Sequence, residues 1–147
     1  MCALPTIAFA QIPKFSDYPA KVYSGPTAKL MLNSEDAKLF RTRLRDALKD
    51  KPNFAGEYVM TMWGCGAGCR SYSIVNKRTG QLLGEGFGGE GGEDVKDIEA
   101  NSRLVITEGP LYAANDEYLG YNRNYYVLKG QKFQLIKRVP IKDPNKE

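Results

Sequence analysis

Histidine is missing from the chain altogether. Its absence removes the commonest general base near neutral pH and the commonest metal ligand. Ser-His-Asp and Cys-His catalytic arrangements cannot be assembled, and histidine-rich zinc sites go with them. Tryptophan occurs once, at Trp63, and cysteine three times, at Cys2, Cys65 and Cys69. No apolar run approaches the ~20 residues that a membrane-spanning helix needs. Charge of one sign is in small excess: 21 basic residues against 17 acidic leave a formal net charge of +4. That allows weak long-range steering of anions and falls short of a nucleic-acid-binding signature. No internal repeat is strong enough for a solenoid or propeller.

What is present describes a globular protein. A chain of 147 residues is one domain by size and can bury about two-thirds of its unfolded surface. Nine tyrosines and six phenylalanines favour strands. Ala3 to Ala10 are mostly apolar, and Ala8-Phe9-Ala10 has the small-x-small form of a leader-peptide cleavage site, with cleavage expected before Gln11. The usual basic start of a leader is missing, so the true start is expected upstream, or Met1 is an internal choice. Removing residues 1–10 also removes Cys2 and leaves Cys65 and Cys69 as an even pair, as expected of a disulfide in an oxidising compartment. Cys2 as a lipidated cysteine is the other reading, but the residues that would precede such a site are lacking.

The expected organisation is a leader remnant over 1–10, a single domain over 11–142 and a flexible charged tail over 143–147. Gln11 to Gly25 carries Pro13 and Pro19, with Pro26 just after, among Phe15, Tyr18 and Tyr23. That pattern predicts an extended arm packed over the core, with a short edge strand at Val22–Tyr23. Asn33 or Ser34 caps a helix predicted from Glu35 to Lys49, whose apolar face is Ala37, Phe40, Leu44, Ala47 and Leu48. Its basic residues are read as a solvated face. Strands are predicted over Glu57–Trp63, Ser71–Asn76, Gln81–Glu85, Arg103–Glu108, Tyr125–Lys129 and Lys132–Val139. Glu57–Trp63 is apolar on both faces and is read as central. Hairpin turns are expected at Asn76–Gly80 and Gly130-Gln131, a helical turn at Lys96–Ala100, and a polar turn region at Gly109–Gly120. The fold class is therefore α+β: one antiparallel meander of about six strands with one N-terminal amphipathic helix packed on it.

The stretch from Phe54 to Arg70 organises the rest. An apolar strand ends in Trp63, a glycine-rich loop holds Cys65 and Cys69, and a second strand returns. Gly64, Gly66 and Gly68 supply the backbone freedom that so small a ring needs. A structural disulfide is the preferred reading. A redox pair is disfavoured because three residues separate the cysteines instead of two and no βαβ context surrounds them. A thiolate metal site lacks further ligands. Gly84 to Gly89 formally fits a dinucleotide fingerprint, but Glu85, Glu90, Glu93 and Asp94 would repel phosphates and no long helix follows. Calcium suits Glu90, Glu93 and Asp94 better, since hard cations take carboxylate oxygens, although the spacing matches no known loop. A partner-binding loop containing Phe87 is the preferred alternative. Tyr112, Tyr118, Tyr121, Tyr125 and Tyr126 cluster with Asn122 and Arg123, and Tyr and Arg are enriched at binding hot spots. Candidate binding residues are thus Trp63, Gly64, Gly66, Gly68, Arg70, Phe87, Glu90, Glu93, Asp94, Tyr121 and Arg123. Glu57, Glu85, Glu108 and Glu117 offer carboxylates for glycoside chemistry, but their spacing singles out no pair.

Asn-Phe-Ala-Gly-Glu-Tyr, Trp-Gly-Cys-Gly-Ala-Gly-Cys, Ile-Val-Asn-Lys-Arg-Thr-Gly and Asn-Tyr-Tyr-Val-Leu-Lys-Gly occur in this order. Together they resemble a group of small exported bacterial proteins of unassigned function, over about Ile12 to Ile141. The Trp-Gly-Cys-Gly-x-Gly-Cys core is the specific part. The resemblance implies a periplasmic, disulfide-pinned domain and transfers no catalytic residue.

Export, small size, no histidine and exposed Tyr- and Gly-rich loops lead to one functional expectation. The chain is read as a non-enzymatic periplasmic or secreted binding protein with a protein partner in the envelope. A specific form is an inhibitor or immunity protein against a cell-envelope-active enzyme. No cofactor, catalytic residue or nucleic-acid partner is expected. A carboxylate-based enzyme acting on envelope polymers and a structural envelope component are the alternatives.

Overall fold

The computed structural model describes residues 11–66, 69–89 and 92–146. The expected leader with Cys2, together with Gly68 and Glu90, lies outside them. Two short helices, α1 (Glu35–Leu39) and α2 (Arg41–Ala47), precede six strands. These are β1 (Tyr58–Gly66), β2 (Cys69–Asn76), β3 (Asp94–Ile98), β4 (Leu104–Tyr112), β5 (Tyr118–Lys129) and β6 (Lys132–Ile141). The strands do not form one meander. β1 and β2 make an antiparallel two-stranded sheet, and β3-β4-β5-β6 make a separate antiparallel sheet in sequential order.

The single helix expected from Glu35 to Lys49 is broken at Phe40, where φ is −103° and ψ is 20°. Ser34 caps the first segment, its Oγ accepting from the Ala37 N–H at 3.1 Å. The break brings the Phe40 ring to 4.9 Å from Trp63, centroid to centroid. At the far end, Lys77 Nζ donates to the carbonyls of Leu48 at 2.7 Å and Asp50 at 2.6 Å, so a cation closes the helix C-terminus.

The β1–β2 hairpin lies between two cores. Val59 and Val75 pack with Leu44, Ala47 and Leu48 of the helix. Met60 and Ile74 pack with Phe54, Leu83, Val105 and Leu128, which joins the hairpin to the larger sheet. Complete burial of Leu44 alone contributes about 2 kcal/mol of transfer free energy. The two-faced apolar pattern of β1 therefore reflects a hairpin sandwiched between layers. Only its first half is central, since Gly64, Cys65 and Gly66 are exposed. Asn53 clamps β1 from the side: its Nδ2 donates to Met60 O at 2.9 Å and its Oδ1 accepts from Met60 N at 2.7 Å.

The remaining face of the larger sheet carries Leu104, Tyr125 and Val127, covered by Phe15 and Tyr18 of the proline-rich arm. The arm packs as expected, but it contributes a 3-10 turn (Phe15–Asp17) and a single bridge, Pro19 with Ser102, and no strand at Val22–Tyr23. Ser102 Oγ anchors it by donating to the Phe15 carbonyl at 2.7 Å.

Three further expectations are corrected. Gln81–Glu85 is no third strand: Leu82 bridges Val75, the chain leaves at the glycines, and Gly88 returns to bridge Ser71. Lys96–Ala100 is no helical turn, because β3 pairs through it with β4. Gly109–Gly120 is mostly strand, and the connection narrows to 113–117, closed by Ala113 N donating to Glu117 O at 2.9 Å. Pro110 is tolerated because β3 pairs with β4 only as far as Glu108, leaving that edge of β4 without a ladder partner among the described residues. Gly130-Gln131 joins β5 to β6 as expected, with Gly130 at φ 62°, whereas Asn76–Gly80, with Gly80 at φ 77°, turns the chain into a single bridge, Val75 with Leu82, and not into a strand. Among the described residues, no helix is long and apolar enough to cross a membrane.

Candidate functional site

Cys65 and Cys69 are joined by a disulfide, with Cα atoms 5.1 Å apart. The ring sits at the far end of the β1–β2 hairpin, beyond the Gly64–Arg70 pair, where the register shifts. Trp63 is held just inside the ring. Phe40 packs against it, and the Arg43 guanidinium lies 5.1 Å from its centroid, close enough for a cation–π contact. Met62, next along the strand, is 53% exposed.

This end of the hairpin forms one wall of a cleft of about 510 Å³. Its lining joins Trp63, Gly64, Gly66, Cys69 and Arg70 to Asp94, Lys96 and Tyr121 of the larger sheet. Six of the candidate binding residues read from the sequence therefore meet in one place. Burial pushes the Tyr121 phenol up, and the carboxylates of Asp94, Glu108 and Asp143 add to the effect. Asn145 also reaches the cleft. Residues 143–146 fold back onto β5: Tyr118 donates to Asp143 at 2.6 Å, and Lys146 Nζ lies 3.5 Å from the Tyr118 ring centroid. The hydrogen bond to Asp143 pushes the Tyr118 phenol up to about 12.

Phe87 and Glu93 belong to a second cleft, of about 320 Å³, where the glycine loop faces β4, β5 and β6. Tyr126 Oη donates to the Glu93 carboxylate at 2.8 Å, and Asn124 Nδ2 donates to it as well. Arg138 Nε donates to Asn124 Oδ1 at 2.7 Å. Burial pushes the Tyr126 phenol up, and its bond to Glu93 adds to this. Gly109 makes room for the arrangement, since a Cβ there would sit 2.9 Å from Glu93 Cα.

The remaining candidates stand apart. Arg123 pairs with Glu108 at 3.5 Å. Glu93 and Asp94, adjacent in the chain, line different clefts, so the two described carboxylates considered for calcium do not share a cleft. Among the described residues, no group of three or more acids or cysteines gathers to hold a metal ion. Neither cleft has a pair of carboxylates among its described lining residues.

Sequence reasoning missed Met62, Lys96, Asn124 and Arg138 as site residues. One signal was available. Thr107 continues the inward period-two pattern of Val105, and Asn122, Asn124 and Tyr126 continue that of Leu128. Polar residues in an inward-facing pattern mark a buried polar site. Comparison of the chain with protein-family models, curated proteins and solved structures finds no match.

Proposed function

We propose that the chain is a non-enzymatic binding protein of the bacterial periplasm or cell exterior, and that its contact surface is the disulfide-capped end of the β1–β2 hairpin with the adjoining cleft. The convergence of Trp63, Arg70, Asp94 and Tyr121 on one cleft beside the ring carries this reading. An indole already held by Phe40 and Arg43 loses little freedom on binding. A partner covering it gains a large apolar contact with charges of both signs at the rim. The partner that suits a small rigid wedge of this kind is an envelope-active enzyme, with the chain acting as its inhibitor or immunity protein.

Photo-crosslinking in the periplasm tests this. A benzoyl-phenylalanine at Met62, and a control at Leu39, which is 73% exposed on α1, would each be illuminated and the adducts identified by mass. The expected result is one envelope hydrolase joined at position 62 and not at 39, with its activity suppressed by purified chain. Absence of a position-specific adduct, or equal adducts at both positions, contradicts the proposal.

A further inference from the structure

The inner face of the larger sheet changes character along its length. Val105 and Leu128 belong to the core, whereas Thr107, Asn122 and Asn124 on the same face are polar yet buried. Burying polar groups is costly unless they are bonded. Asn124, 2% exposed, is bonded on both sides: it donates to Glu93 and accepts from Arg138 at 2.7 Å. Asn122 is 6% exposed, lines the cleft and has no side-chain hydrogen bond among the described residues. Its amide atoms are not sealed from solvent, so the unbonded carboxamide opens into the cleft, where a ligand can take the place of water as its partner.

We propose that this cleft binds a neutral, hydroxyl-rich ring, namely a saccharide unit. The Asn122 carboxamide offers a donor and an acceptor side by side, the combination that matches vicinal hydroxyls. The Glu93 carboxylate retains acceptor capacity beyond its bonds from Tyr126 and Asn124. One glutamate and one arginine leave the described lining without net charge, which disfavours phosphates and polycations. Phe87, braced by Tyr126 at 5.2 Å and Phe133 at 4.8 Å, gives an apolar wall for the C–H face of the ring. A volume of about 320 Å³ lies at the small end of ligand clefts, roughly 300–1,000 Å³. The proposed role is binding; the described lining holds one carboxylate, whereas most glycoside hydrolases use a pair. The cleft shares no lining residue with the one at the hairpin end, so this inference stands or falls separately from the partner reading.

Amide NMR titration of the whole chain tests it. The probes are glucose, N-acetylglucosamine and chitobiose at millimolar concentration, with glutamate and inorganic phosphate in parallel. At least one saccharide is expected to shift the amides of Gly88 and Asn122 while leaving Arg70 unmoved. Asn122→Ala is expected to weaken that saccharide about tenfold, the size of one hydrogen bond to a buried group. Asn122→Asp, nearly isosteric, removes the donor while keeping the shape and is expected to weaken it as well. The inference is overturned by any one of three results: no saccharide shifts these amides, both variants bind as the parent does, or glutamate or phosphate binds more tightly than every saccharide.

Discussion

Replacing Cys65 and Cys69 together by serine isolates what the disulfide contributes. The ring closes five residues, since the cysteines are four apart in sequence. Chain-entropy bookkeeping for a loop of that size gives about 7 cal/mol/K, or about 2 kcal/mol at 25 °C. No core term adds to it, because Cys65 is exposed and neither cysteine belongs to an apolar cluster. By contrast, truncating the fully buried Leu44 to alanine would cost about 2–5 kcal/mol. The double serine variant should therefore lose about 2 kcal/mol, lowering the urea midpoint by roughly 1 M with the slope unchanged and the melting temperature by roughly 4–8 °C. Hydrogen exchange should locate the effect: amides from Trp63 to Arg70 gain exchange relative to global unfolding, whereas Val75 and Val105 do not. A loss above about 4 kcal/mol would show that the ring props the core, and the reasoning would fail. A loss below about 0.5 kcal/mol would refute the entropic estimate.

Two further predictions concern the opposite end of the hairpin. Gly80→Ala forces a side chain into positive φ and places its Cβ 1.8 Å from the Lys29 carbonyl oxygen; the expected loss is roughly 3 kcal/mol or more, and an unchanged urea midpoint would contradict it. Glu57 accepts from Arg78 Nε at 2.8 Å and from Asn76 Nδ2 at 2.8 Å, and the bond from Arg78 holds its carboxyl below the ordinary 4.5. A depressed folded pKa means that this contribution is complete above the ordinary value and fades as pH falls through the folded one. Glu57→Gln should thus cost about 0.5–1 kcal/mol at neutral pH, the pair with Arg78 being partly exposed, and less in acid, and a cost independent of pH would refute the assignment.

The legibility of the chain followed the range of the interactions. Ser34, Asn76–Gly80 and Gly130-Gln131 were readable because caps and turns are local: an Oγ three residues from an N–H, an Asx turn, a glycine at positive φ. The β1–β2 pairing was readable for the same reason. Splitting of the strands into two sheets was not, since an apolar period of two says which residues are buried and not which layer buries them. Val59 and Met60 are both buried, one against the helix and one against the larger sheet. Phe40 broke a good helical pattern because its contact with Trp63 lies 23 positions away in sequence. Tip residues were found from the cysteine ring. Their neighbours Lys96, on a strand read as a helical turn, and Met62 were passed over. The Glu93–Asn124–Arg138 line joins three distant segments and was legible only as polar residues at inward positions.

Alkylation of the natively purified, unreduced protein, followed by mass measurement of the peptide spanning Trp63 to Arg70, bears most directly on the idea of a preformed contact surface outside the cytoplasm. The expected result is a cyclic peptide in which neither Cys65 nor Cys69 has taken up the reagent. Two modified cysteines would mean that the hairpin end is open in the living cell, and the rigid wedge proposed for its partner would not exist.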